Sequence, residues 1–280
     1  MTAALTSSDA PLPSHVIVLT GASDGIGAEM ARQWARRRGT ELGLVLAARS
    51  VDKLDAVAGE CRALGAQVRV QRCDVSVEAE CRALVAAAVE TFGGIDTLVN
   101  NAGMSAHARF EDTDNLAWTE TLMRINHWGA VWCTHAALPH LKARRGRLVA
   151  VASLAGLVGV PGRSAYSSTK FAMVGFFESL RTELQASGVS VTLAYPGVVA
   201  TETRRRGFDA HGRPAGRSGL DERGAMPVET AARLIVEGTE ARRRDVVMTA
   251  RGRLGRWLKL AAPGLVDRIA LRALAREDGS

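Results

Sequence analysis

The sequence predicts an α/β protein with one doubly wound parallel sheet of about seven strands. Three observations carry that prediction. Short apolar, β-branched runs alternate with longer stretches of helical periodicity. Several of the runs are apolar throughout instead of alternating, as in strands covered on both faces by crossover helices. A glycine-rich turn follows the first run directly and opens the first helix. His15–Thr20 (HVIVLT) is the first strand, and Gly25–Arg38 carries Ile26, Met30 and Trp34 at helical spacing. Leu42–Ala48 is a second strand, Val51–Leu64 a helix and Gln67–Cys73 a third strand. Val77–Phe92 is helical and Ile95–Asn100 is the fourth strand. One long helix is expected over Thr113–Ala143, then a strand over Gly146–Ala152 and a helix over Ala165–Gln185. Val189–Tyr195 is the sixth strand, Pro227–Glu240 a helix and Asp245–Thr249 a seventh strand.

No composition break marks a second domain. Residues 14–250 read as one unit, preceded by a short frayed leader over 1–13 and followed by an appended basic, amphipathic extension over 251–280. The stretch Gly197–Met226, rich in Gly and Arg, reads as a mobile loop. Hydrophobic residues make up 47% and charged residues 23% of the 280, which excludes a disordered chain. No apolar run approaches the ~20 residues of a membrane span, and the N-terminus lacks a signal-peptide pattern. Cys61, Cys73, Cys81 and Cys133 form no C-x-x-C pair and are expected to be free thiols of a reducing cytosol. His107, His127, His135 and His140 have no metal-ligand spacing, and no metal is expected.

The net charge is +7, and residues 201–280, with 17 basic and 11 acidic side chains, hold six of those charges. Aromatic residues are only 5% and no basic stripe alternates with stacking rings, so nucleic acid is not an expected partner.

The turn Thr20-Gly21-Ala22-Ser23-Asp24-Gly25-Ile26-Gly27 joins a strand to a helix, so its backbone can approach a pyrophosphate at a helix N-terminus. Asp24 either repels that phosphate or caps the helix, and the cap is the favoured reading. An acidic residue about 20 positions after the glycines would bind an adenosine ribose diol. Ala48 stands there instead, followed by Arg49, whose guanidinium suits a 2′-phosphate. Tyr166 and Lys170, four residues apart on a predicted helix, share one face. An ammonium beside a phenol lowers a pKa that is otherwise about 10. Ser153 ends the fifth strand, where its hydroxyl can meet a substrate oxygen.

T-G-x-x-x-G-x-G, Asn100-Asn101-Ala102-Gly103, Ser153, Tyr166-x-x-x-Lys170 and Pro196-Gly197-x-x-x-Thr201 follow one another in this order. In these motifs the chain resembles the short-chain dehydrogenase/reductases, in their shorter single-domain branch, over about residues 14–250. The resemblance implies a Rossmann-type fold. It implies a cofactor site of Gly21, Ser23, Asp24, Gly25, Ile26 and Gly27 at the turn, with Arg49 for the ribose phosphate. Asp74 and Val75 would meet the adenine, although Asp74 alone reads more simply as a helix cap. Asn101, Ala102 and Gly103 follow the fourth strand, and Pro196, Gly197, Val199 and Thr201 the sixth. Tyr166 would be the proton donor and acceptor, Ser153 would orient the oxygen, and Lys170 would tune the tyrosine and hold the nicotinamide ribose. Asn126, in the long helix, resembles an asparagine that holds a water in a relay to the lysine.

The expected cofactor is NADP(H), and the expected substrate a carbonyl or secondary alcohol. Its apolar character is suggested by Leu154-Ala155-Gly156-Leu157-Val158. Arg204, Arg205 and Arg206 read as a solvated lid or as partners of an acidic substrate group. A catalytically silent NADP(H)-binding or partner-binding protein on the same fold is the alternative. Relatives build a dimer face from the long helix and Ala165–Gln185, so a homo-oligomer is expected. The protein is expected to be cytoplasmic. Its extension, with Leu254, Trp257, Leu258 and Leu260 among arginines and Ala273 and Arg276 further on, suits either a membrane surface or a packing partner.

Overall fold

A computed structural model of the protein describes residues 11–218 and 222–278, the side chains of 273–278 excepted. All seven strands pair in parallel, in the order β3-β2-β1-β4-β5-β6-β7. They are β1 (His15–Thr20), β2 (Leu42–Ala48), β3 (Gln67–Arg72), β4 (Thr97–Asn100), β5 (Arg147–Val151), β6 (Ser190–Tyr195) and β7 (Asp245–Val247). The central strands are apolar because both faces are covered. Residues 16–20, 42–47 and 97–100 are buried without alternation.

On one face lie α1 (Gly25–Arg38), α2 (Val51–Ala63) and α7 (Val228–Glu240), with Trp34, Leu54 and Ile235 in the core against Ile17, Leu44 and Leu46. On the other lie α3 (Glu78–Phe92), α5 (Gly129–Ala143) and α6 (Ser164–Glu183), with Leu84, Cys133 and Phe177 against Val16, Val45 and Leu148. β1 has β2 on one side and β4 on the other. The direction of winding therefore reverses between β1 and β4, and this opens a crevice at their carboxyl ends.

Three expectations need correction. The helix expected over Thr113–Ala143 begins only at Ala117 and is not α-helical throughout. Asn115 Oδ1 accepts the Ala117 amide and starts α4 (Ala117–Met123), a π-helical turn covers Arg124–Trp128, and only then does α5 run on. The leader does not fray right up to β1. Residues 1–10 lie outside the described residues, but Pro11 accepts a hydrogen bond from Gln67 Nε2 (2.8 Å) and Pro13 is buried against Gly43. The arginines after β6 are not all solvated as expected, although Arg205 stays exposed. Arg204 bonds Glu222, Ser218 and the Val199 carbonyl, and Arg206 pairs with Asp24 at 2.6 Å. Residues 219–221 of that stretch lie outside the described residues. All four cysteines are buried free thiols.

The extension folds as α8 (Ala250–Ala261) and α9 (Pro263–Asp278). Three of its cations anchor it, Arg253 by donating to the Val247 carbonyl at 3.2 Å. Arg256 pairs with Asp245 (2.9 Å) and Glu178 (3.8 Å), and Lys259 donates to the Leu157 carbonyl and lies 4.5 Å over the Phe171 ring. The side chains of Ala273 and Arg276 lie outside those described.

Candidate active site

The crevice at the strand ends is a cleft of about 520 Å³. The turn between β1 and α1 forms its floor. A Cβ on Gly27 would come within 2.1 Å of the Gly21 carbonyl oxygen, so only glycine lets the helix start this close to the strand. Asp24 is the N-cap of α1. Its carboxylate accepts the Gly25 amide and meets Arg206. Partial burial would raise its pKa, but the Arg206 hydrogen bond and the Gly25 amide outweigh that and hold it below the ordinary carboxylate value. The charge that would repel a phosphate is thereby paired.

Thr20 joins the two sides of the switch point. Its Oγ1 donates to the Val99 carbonyl and accepts from the amides of Asn101 and Ala102, while Asn101 Nδ2 donates to the carbonyls of Thr20 and Gly21. Ser23, Ile26, Arg49, Asp74, Val75, Gly103, Pro196, Gly197, Val199 and Thr201 also line the cleft. Arg49 is exposed at its edge. Asp74 accepts from the amide and hydroxyl of Ser76. Burial opposes its ionisation, but the Ser76 bonds and the charges of Arg49 and Arg72 prevail and lower its pKa. Gly25 and Asn126 are the two expected site residues off the wall. Gly25 turns toward Thr201, and Asn126 lies fully buried behind Gly103.

The π turn gives Asn126 its place. Its Oδ1 accepts the Met104 amide at 2.7 Å, and its Nδ2 donates to the Met104 carbonyl and to Thr169 Oγ1. It thus clamps the chain leaving β4. A Cβ on Gly103 would sit 3.1 Å from Asn126 Oδ1 and 3.7 Å from Lys170 Nζ, so Gly103 is the thin partition between them.

Ser153, Tyr166 and Lys170 meet on the cleft wall beyond this partition. Lys170 is buried and donates to the Val151 carbonyl at 3.0 Å. Burial lowers its pKa and Arg163 lowers it further, with Tyr166 opposing. Burial alone would push the Tyr166 phenol up. Lys170 and Arg163, with a hydrogen bond from Ser153, overcome this and bring it below 10.0.

Arg163 was not among the expected site residues. It is buried, and its Cζ lies 4.1 Å from the Tyr166 ring centroid. Its position three residues before Tyr166 was the available signal, since that spacing places both on one side of the helix start. Thr20 and Thr169 carried no comparable signal, because their partners come from other elements. Among the described residues no group of three or more His, Cys, Asp and Glu side chains is placed to hold a metal ion.

The pieces fit a dinucleotide. Amides of a helix N-terminus and a glycine turn face one part of the cleft, a guanidinium stands at its edge, and a phenol with two cations stands at the other end.

The short chain dehydrogenase family model matches residues 15–211. The 11-beta-hydroxysteroid dehydrogenase-like 4A of Arabidopsis thaliana is 44% identical over 185 residues, 66% of this chain and 60% of that protein. The chain thus spans about three fifths of that relative's length. The 11-beta-hydroxysteroid dehydrogenase A of Sesamum indicum is 36% identical over 258 residues, 90% of this chain and 73% of that one. Among solved structures, a short chain dehydrogenase/reductase from Burkholderia phymatum in complex with NAD matches with a TM-score of 0.78 at 27% identity, covering 91% of this chain and 95% of that one. An alcohol dehydrogenase from the archaeon Thermococcus sibiricus complexed with 5-hydroxy-NADP matches at 0.72 and 25% identity, covering 84% and 95%.

Proposed function

Since the chain belongs to the short-chain dehydrogenase family of oxidoreductases, we propose that it is an NADP(H)-dependent carbonyl reductase or alcohol dehydrogenase acting on an apolar substrate. The observation that carries this reading is the meeting of Ser153, Tyr166 and Lys170 at one end of a cleft floored by the glycine turn. NADP(H) bound in that cleft supplies or accepts the hydride at the substrate carbon. Gly21 to Gly27 and the α1 N-terminus would hold its pyrophosphate, and Arg49 its 2′-phosphate. The relatives leave the choice of nucleotide open, since one solved neighbour carries NAD and another a hydroxy-NADP. The preference for NADP(H) rests on Arg49 and on the absence of a carboxylate at Ala48.

In the reductive direction the Ser153 hydroxyl orients the carbonyl oxygen and Tyr166 gives it a proton. The phenolate left behind is stabilised by the ammonium of Lys170. In the oxidative direction Tyr166 takes that proton back. Reduction should therefore fall as pH rises through a pKa below 10.0, and oxidation should rise through the same value.

The substrate side supports an apolar molecule. Val160 lines both the main cleft and a neighbouring pocket of about 430 Å³, whose walls include Val158, Leu254, Leu258 and Val266. The steroid dehydrogenase names of the plant relatives point to the same substrate class.

The test is nicotinamide absorbance loss with NADPH and NADH in parallel, over carbonyls graded from small ketones to lipid and steroid ketones. Turnover of one size class with NADPH is expected. Tyr166→Phe should lower it by about 10²-fold or more while NADPH still binds. Full activity in that variant overturns the role of Tyr166, and NADPH binding without turnover of any carbonyl favours the silent binder.

A further inference from the structure

We propose that Arg163 is a positioning residue acting through Tyr166: its buried guanidinium, clamped to the chain that follows β4, lies on the phenol face as a second cation of the site. The proposal rests on the reading of Tyr166 as the proton donor.

Arg163 stands at the start of α6, one turn before Tyr166. Its Nη2 donates to Ser105 Oγ at 2.7 Å and its Nε to the Ala106 carbonyl at 3.0 Å. These two bonds fix the guanidinium in place. Its Cζ is 4.1 Å from the ring centroid, closer than Lys170 Nζ at 5.9 Å. A cation on an aromatic face is attracted by the electron density of the ring. A phenolate ring holds more of that density than a phenol, so the contact strengthens as the proton leaves. The low dielectric of a buried site enlarges the effect.

The clamp also ties the site to the substrate side. Ser105 and Ala106 are held from their other side by the stretch after β6. The Phe208 amide donates to the Ser105 carbonyl, and the His107 amide donates to the Phe208 carbonyl. One side chain thus connects the tyrosine helix, the segment after β4 and, through it, the segment after β6.

Among the described residues, the groups that act on the Tyr166 charge come from three elements. They are Lys170 and Arg163 on α6, the Ser153 hydroxyl after β5, and Arg204 from the stretch after β6. The chain after β4 and α4 contribute Met104, Ala106, Trp118 and Leu122 to the apolar cluster that Tyr166 packs against, and none of these ionises.

This chain allows a direct test, because it has only two tyrosines. Tyr195 is fully buried, and burial together with Asp245 and Glu178 pushes its pKa far up. The phenolate absorbance of the full-length protein should therefore rise in two separated steps, the first belonging to Tyr166. Tyr166→Phe should remove that first step and so assign it.

Arg163→Met keeps the length of the side chain and removes its charge. It should move the first step upward by about one pH unit, and Arg163→Lys should restore part of the shift. The proposal is overturned if Arg163→Met leaves the step in place and lowers only the melting temperature. Should the methionine variant fail to fold, an Arg163→Lys step at the wild-type pH, with NADPH binding intact, would assign the whole effect to bare charge and overturn the stacking. The titration needs no turnover, so failure to find a substrate leaves its answer standing.

Discussion

At the scale of the residue, the site is a set of charges whose pairing decides what they can do. Asp24 and Arg49 border the same cleft with opposite sign. Asp24 accepts the Gly25 amide and is paired with Arg206, whereas Arg49 stays exposed at the edge. Arg49→Ala should therefore weaken NADPH binding by about 10- to 100-fold, the value of a charge-assisted hydrogen-bonded pair, and leave NADH nearly unchanged. Isothermal titration with both nucleotides measures this, and an equal loss for the two would remove Arg49 from the nucleotide choice. Residues of this kind were legible in the sequence because their signal is local. Arg49 follows a strand directly, and Tyr166 and Lys170 lie one helical turn apart. Arg163 follows the same rule, one turn further back. The bonds of Arg206 to Asp24, across 182 positions, and of Asn126 to Thr169, across 43, have no such local signal.

At the scale of the element, helical periodicity cannot distinguish a π turn from an α turn. A single extra residue in the ring shifts the apolar pattern too little to detect across Thr113–Ala143. The turn persists because it points Asn126 into the core, where three hydrogen bonds satisfy its amide.

The amphipathic character of α8 and α9 is legible, but which side faces the protein is not. Arg256 and Lys259 face inward to Asp245 and Leu157, while Leu254, Trp257 and Leu260 stand in an exposed row at helical spacing. No helix among the described residues is long and apolar enough to cross a membrane. We propose that this row, with Arg251 beside it, rests on an anionic lipid surface. The full-length protein should sediment with anionic vesicles and a chain truncated before Arg251 should not. If the full-length protein stays in the supernatant and the truncated chain loses oligomeric mass, the row belongs to a subunit contact instead.

At the scale of the whole molecule, stability should depend on pH through the floor of the sheet. His15 opens β1, and its ring meets the Thr97 hydroxyl of β4 at 3.1 Å. Burial, reinforced by the Arg38 charge against the weaker opposition of Asp96, lowers its pKa from 6.5 to about 4. The folded state thus holds fewer protons than the unfolded chain between those values. The contribution of His15 is present above pH 6.5 and is lost as pH falls toward about 4. His15→Gln should flatten the fall in melting temperature across that interval, and an unchanged slope would place the acid sensitivity elsewhere.

The sequence by itself determined the fold class and the order of strands and helices along the chain, and its family resemblance implied many of the residues that line the cleft. The first two follow from periodicity, the last from motifs that are each short and local along the chain. Only the tertiary structure decided that the chain before β1 is pinned at Pro11–Pro13 and that Arg204 and Arg206 bind the chain itself. It alone clamped Arg163 to Ser105 and Ala106 and turned Arg256 and Lys259 of α8 inward. The physical reason is common to all four. Each depends on a partner brought near by the folding of the sheet, and the attraction between two side chains acts over a few ångströms of space, whatever their separation along the chain.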